Sequence, residues 1–160
     1  MVTVVFHFND FDPTYGLESP HNHIKEWIQN SIAFGVDELI MIDKTQFKVG
    51  QYYHHPIFNI KFKRYDSLNV YIQENLNRNI VLFESEYGLQ NTGIIPIKLH
   101  EHEHQEDVIY VFGPDFGVIE ILEEYNSLVD WVEIEMVNSN PLYAKGAACI
   151  ALHDRIIKNK

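Results

Sequence analysis

Apolar runs and helical repeats alternate along this chain, and the alternation predicts its architecture. Val2 to Phe8 is a β-branched and aromatic run, as expected of a buried strand. Asn9 to Pro20 carries Asp, Pro and Gly and reads as loop, with Ser19 placed to cap a helix whose first position is Pro20. Ile24, Trp27, Ile28, Ile32 and Ala33 then recur at helical spacing, and Gly35 closes that helix. Glu38 to Ile42 is a second strand, Thr45 to His55 a polar and aromatic loop with some helix, and Ile57 to Phe62 a short third strand. Ser67 to Leu76 is an amphipathic helix through Leu68, Val70, Tyr71 and Leu76, and Asn79 to Phe83 another buried strand. Glu84 to Glu106 is irregular, punctuated by Gly88, Gly93 and Pro96. An apolar strand then ends in a glycine turn (Ile109 to Gly117), a strand follows (Asp130 to Met136), and a helix rich in small residues closes the chain (Leu142 to Ile156). Strands alternating with helices imply an α/β fold, a mainly parallel sheet with helices on both faces.

Composition narrows the class. The 160 residues, 46% hydrophobic and 13% aromatic, suit one globular domain spanning 1–160, with no linker or repeat to divide it. No apolar run approaches the roughly 20 residues of a membrane span. MVTVVFHFNDFD lacks a basic leader and a small-residue cleavage site, so it reads as a first strand. The single cysteine, Cys149, has no disulfide partner in the chain, and a reducing, cytoplasmic setting is the simplest reading.

Charge points the other way from a polyanion binder. The formal net charge is −11, whereas phosphate contacts draw on Lys and Arg. Positive side chains gather only locally, at Lys61, Lys63 and Arg64 and at Lys145, Arg155, Lys158 and Lys160. A nucleic-acid partner is allowed by composition and not favoured by it.

Three motifs carry a resemblance. HIKEWIQNSIAFGV ends in Ala33, Phe34, Gly35 and Val36; Val111 to Val118 contains Phe112-Gly113-Pro114; and Ala144, Gly146, Ala147, Ala148 and Ala151 make a small-residue terminal helix. In this order they resemble the SpoU/TrmH branch of the SPOUT RNA methyltransferases, in its minimal single-domain form. The resemblance implies a deep C-terminal trefoil knot, an exception to the rule against threading. Small residues in the last helix would let the chain pass. It also implies S-adenosylmethionine as cofactor, held by knot loops walled by Phe83, Gly113, Ile134, Met136 and Leu142. The substrate would be RNA, tRNA or rRNA, methylated at a ribose 2′-oxygen, and the protein a symmetric homodimer.

The side chains that do chemistry in that family are replaced here. Its first-motif Asn falls on His23 (or Asn22), and its Arg on Gln29. The Glu of its second motif is Asp115, and the Ser and Asn of its third are absent, with Pro141, Leu142 and Tyr143 in their place. Gln29, Asp115 and Tyr143 are therefore the expected catalytic positions. The alternative is a catalytically inactive dimeric binding or scaffold protein on the same fold. A methyltransferase with a less charged, non-RNA substrate is a third reading.

Other clusters point less far. His100 to His104 would set three histidines on one face of an extended segment, but alternating side chains supply a tetrahedral metal site poorly. A solvated cluster, with no metal, is the expected state. Tyr52, Tyr53, His54 and His55 could stack on a base, although a loop packed on the surface suffices. Asp10 and Asp12 read as the polar end of the first strand, and Trp27 with the terminal helix as a dimer face.

Overall fold

The computed structural model describes residues 1–8, 20–43, 60–114, 117–136 and 142–160. Its elements run β1 (Val2–His7), α1 (Pro20–Ala33), β2 (Glu38–Ile42), β3 (Lys61–Tyr65), α2 (Leu68–Glu74), β4 (Asn79–Phe83), β5 (Ile97–Lys98), β6 (Val108–Phe112), β7 (Asp130–Glu133) and α3 (Ala144–Lys158). The strands form one sheet in the order β3-β2-β1-β6-β4-β7-β5, and every pairing is parallel. The expected α/β class holds.

A parallel sheet covered on both faces needs strands that are buried and mostly apolar, and β1, β2 and β6 are buried along their whole length. Alternate residues divide between two cores. Val4 and Phe6 of β1 face Ile24, Trp27 and Ile28 of α1 and Ala148, Ala151 and Leu152 of α3. Val5, together with Ile40, Leu82 and Val111, packs on the opposite side with Leu68, Tyr71 and Ile72 of α2. Trp27 lies in the first core, stacked on Phe6 with ring centroids 4.7 Å apart, and does not form the surface patch expected of it. Burying a ring this size is worth more than exposing it for a partner.

The glycine stop of α1 is built as expected. Gly35 adopts φ +71°, the Gly35 N–H donates to the Ile32 carbonyl and the Val36 N–H to that of Ser31. These two bonds satisfy the last carbonyls of the helix through a left-handed residue that only glycine takes without strain.

Several boundaries move. The third strand is Lys61–Tyr65 where Ile57 to Phe62 was expected, because an edge strand is half solvated and its polar residues alternate outward. On α2 the buried set is Leu68, Tyr71 and Ile72, while Val70 and Leu76 are exposed. The strand predicted to reach Met136 stops at Glu133, where its neighbour β5 also ends. The two-residue β5 is too short to leave a periodic trace in the sequence. The Asn9-to-Ser19 loop with its Ser19 cap, Asp10, Asp12, Thr45 to His55, Ile57 to Asn59, Asp115 and Pro141 lie outside the described residues.

Candidate active site at the carboxyl ends of the strands

All seven strands point the same way, so their carboxyl ends line one edge. From β1 the chain steps outward through β2 and β3, whereas β6, β4, β7 and β5 lie on its other side. The crevice where strand order reverses is where open α/β sheets bind ligands. Here that point lies between β1 and β6, at His7, Phe112 and Gly113.

The loops around it are tied together. Beyond β4, one oxygen of the Glu84 carboxylate accepts from the Ser85 N–H (2.9 Å) and the other from the Ile119 N–H (2.9 Å), joining the loops after β4 and β6. Gly88 is needed there, because a Cβ would sit 2.6 Å from the nearer Glu84 oxygen. A Cβ on Gly113 would come within 2.7 Å of Ile119 Cγ1, so Ile119 already fills the space over this glycine. Phe83 is buried and stacked on Phe112, with centroids 4.8 Å apart and planes 8° from parallel. Ile134 and Leu142 are half-buried, and Met136 is about half exposed (49%). Phe83 and Gly113 stand at the ends of β4 and β6, Ile134 and Met136 just beyond β7, and Leu142 just before α3.

The expected catalytic positions are less gathered. Tyr143 precedes α3 and is 58% exposed. Gln29 is exposed on α1, and at 1.5 Å per residue it lies about 13 Å along the axis from the first residue of the helix. Since α1 leaves the carboxyl end of β1, that distance carries Gln29 towards the other edge of the sheet. His23, in the first turns of α1, is buried with its ring 6.3 Å from both Phe6 and Phe8.

His7 went unnoticed at the sequence level. It ends β1, is 9% exposed, and its Nδ1 lies 2.9 Å from the Phe112 carbonyl oxygen. A carbonyl only accepts, so Nδ1 carries the proton and donates. The available signal was a histidine closing an otherwise apolar strand just before a loop. Carboxylates at the neighbouring strand ends are engaged: Asp43 accepts from Arg64 Nε at 3.1 Å, Asp66 pairs with the same guanidinium, and Glu133 pairs with Lys98 at 2.7 Å. Lys145, at the start of α3, is paired with Glu26 of α1.

The histidine run behaves differently from expectation. His100 is exposed near Glu101 and Glu135, but His102 and His104 are buried, edge to face with centroids 4.9 Å apart. His104 Nε2 donates to Asp154 (2.8 Å) while its Nδ1 accepts from the Tyr110 hydroxyl (2.6 Å). Lys158 donates to Asp154, to the Leu99 carbonyl (2.6 Å) and to that of His102 (3.0 Å). Burial pushes both imidazoles below their ordinary range. Burial alone would raise Asp154, but hydrogen bonds from Lys158 and His104 outweigh it and hold that carboxyl low. The cluster is a lock between residues 99–104 and α3, and a solvated run is the wrong picture. No group of three or more His, Cys, Asp or Glu among the described residues is placed to hold a metal ion.

Solved structures share this architecture. A TrmH/SpoU tRNA modifying enzyme from A. aeolicus superposes with a TM-score of 0.70 at 15% identity, covering 99% of this chain and 75% of its own. A protein studied for 2-OH methylation of C/U34 on tRNA gives 0.67 at 14% identity, covering 99% and 90%. The SpoU methyltransferase AviRb from Streptomyces viridochromogenes, solved with AdoMet, gives 0.65 at 14%, covering 99% and 60%. This chain spans little more than half of some of these proteins, 56% of one RNA 2′-O ribose methyltransferase and 58% of a TrmH-family protein from Porphyromonas gingivalis. No family model and no curated protein matches the sequence. At such identities the likeness is one of fold, and the fold is SpoU/TrmH-like.

Proposed function

We propose that this protein is an S-adenosylmethionine-dependent methyltransferase acting on a ribose 2′-oxygen of RNA, tRNA or rRNA. The observation that carries this reading is an all-parallel α/β fold that superposes, over 99% of this chain, on a TrmH/SpoU tRNA modifying enzyme and on a SpoU methyltransferase solved with AdoMet. Phe83, Gly113, Ile134, Met136 and Leu142 would hold the donor against the strand ends, chiefly through main-chain groups. The donor supplies an electrophilic methyl; the protein aligns the hydroxyl with it and helps remove the proton. Asp115 and Tyr143 would orient the ribose.

In this reading the 160 residues act as one cytoplasmic domain whose tail is threaded as a trefoil knot. Insertion of β6 between β1 and β4, with small residues Gly146, Ala147 and Ala148 on the last helix, supports the threading. No helix among the described residues is long and apolar enough to cross a membrane. A homodimer would bring a second copy against exposed Ile150 and Ile157 of α3 and Ile32 of α1, and the exposed Gln29 would then face its partner.

A second reading, a catalytically silent dimeric binder, is favoured by one observation: the family's Arg is replaced by an exposed Gln29 well along α1. Calorimetry with S-adenosylmethionine, then transfer of labelled methyl to total RNA, separates the two. Binding with transfer supports the enzyme, binding without transfer supports the silent binder, and no binding removes the methyltransferase reading.

A further inference from the structure

Residues 68–76 and 117–129 cover one side of the sheet together. Leu68, Tyr71 and Ile72 of α2 turn into the core that holds Val5, and so do Ile119 and Ile121. The Leu122 N–H, donated to the Asn69 side chain at 2.8 Å, ties the second segment to α2. Val118, Glu120 and Leu122 alternate with the two inward isoleucines and are exposed. On α2, Val70 and Glu74 are exposed one helical turn apart, on the same face.

The outer surface of these two segments is both aliphatic and acidic. Val70, Leu76, Val118, Leu122 and Leu128 are each 42% to 57% exposed. Glu74, Glu120, Glu123 and Glu124 are exposed on the same segments, and neither segment holds a Lys or Arg. The Glu74 carboxylate accepts from the Tyr65 hydroxyl at 2.9 Å. Between Asn79 and Ala144 only Lys98 of the chain's 12 Lys and Arg occurs, so the net charge of −11 arises in that stretch.

We propose that this face docks a basic, amphipathic segment of a partner protein, with aliphatic side chains set between lysines or arginines. The inference goes beyond the methyltransferase reading and stands without it. Half-exposed aliphatic side chains gain free energy when a partner covers them, which asks for an apolar surface opposite. The carboxylates around them select its charge. A second copy of this chain would set like charges against Glu120, Glu123 and Glu124, and the phosphates of RNA are repelled in the same way. Lys and Arg are attracted and steered in. Where the substrate is RNA, such a partner also brings the cations that an acidic chain needs to hold it.

The test uses the whole protein, nitrogen-labelled for NMR, and synthetic helical peptides in place of the partner. A peptide with Leu along one helical face and Lys elsewhere should shift the amide resonances of residues 68–76 and 117–129 and reach saturation. A Leu–Glu peptide of the same pattern should leave them unmoved, and a Lys–Gly peptide of equal charge should bind about tenfold more weakly or worse. The triple variant Glu120→Lys, Glu123→Lys, Glu124→Lys should lose about tenfold or more in affinity for the Leu–Lys peptide, and Leu122→Ser likewise. Both variants should keep the parent's urea midpoint, because the altered side chains are exposed. Equal affinity for the Lys–Gly peptide would reduce the face to a diffuse negative field and sink the proposal. Shifts confined to other residues, or undiminished affinity in either variant, overturn it as well. Sedimentation showing a dimer that Leu122→Ser dissociates assigns the face to a second copy instead, and the basic partner falls.

Discussion

Two buried histidines, His7 and His104, are held in different ways. His104 has both ring nitrogens committed to side chains, the Tyr110 hydroxyl and Asp154, and it joins a late loop to the terminal helix. His7 gives its Nδ1–H to a main-chain carbonyl at the mouth of the sheet. Breaking the first set should destabilise the fold.

The comparison can be tested from the strongest expected effect downward. Gly113→Trp should abolish S-adenosylmethionine binding in a calorimetric titration, because even a Cβ there meets Ile119; retained affinity would move the cofactor elsewhere. Next, His104→Ala should cost about 3 kcal/mol in urea unfolding, since it leaves a cavity at a buried ring, deprives the buried Tyr110 hydroxyl of its acceptor and removes one of the hydrogen bonds to Asp154. A loss under 1 kcal/mol would mean the lock is not one. Tyr110→Phe removes one bond of that set and should cost about 1–2 kcal/mol.

Acidification offers a gentler probe of the same lock. His102 and His104 are depressed, so as pH drops below about 6.5 the unfolded chain takes protons that the folded one refuses. Stability should therefore fall with falling pH, by at most about 1.4 kcal/mol per pH unit for each ring, until the folded values are reached. His104→Ala should shrink that slope, and an unchanged slope would assign the effect to other groups. Smallest, Gly35→Ala should cost about 1 kcal/mol through its left-handed backbone, with methyl transfer untouched.

The sequence made the scaffold legible because burial leaves periodic traces. Glu38–Ile42 and Asn79–Phe83 fall where their apolar runs placed them, and Gly35 closes α1 as its position implied. Edges were harder: Lys61–Tyr65 mixes polar and apolar residues because one side of it meets water. The site was harder still. Nothing local distinguishes His104, whose partners Tyr110 and Asp154 lie 6 and 50 residues away, from the exposed His100 four positions earlier. His7 required knowing which carbonyl ends beside it, a matter of strand order that no window of sequence contains.

The carboxylate of Glu84 carries a mechanical consequence. Because it grips amides from two separate connections at once, neither connection can shift while the other stays put. Pulling on the segment at Ile119 therefore pulls on the same carboxylate that holds the Ser85 amide.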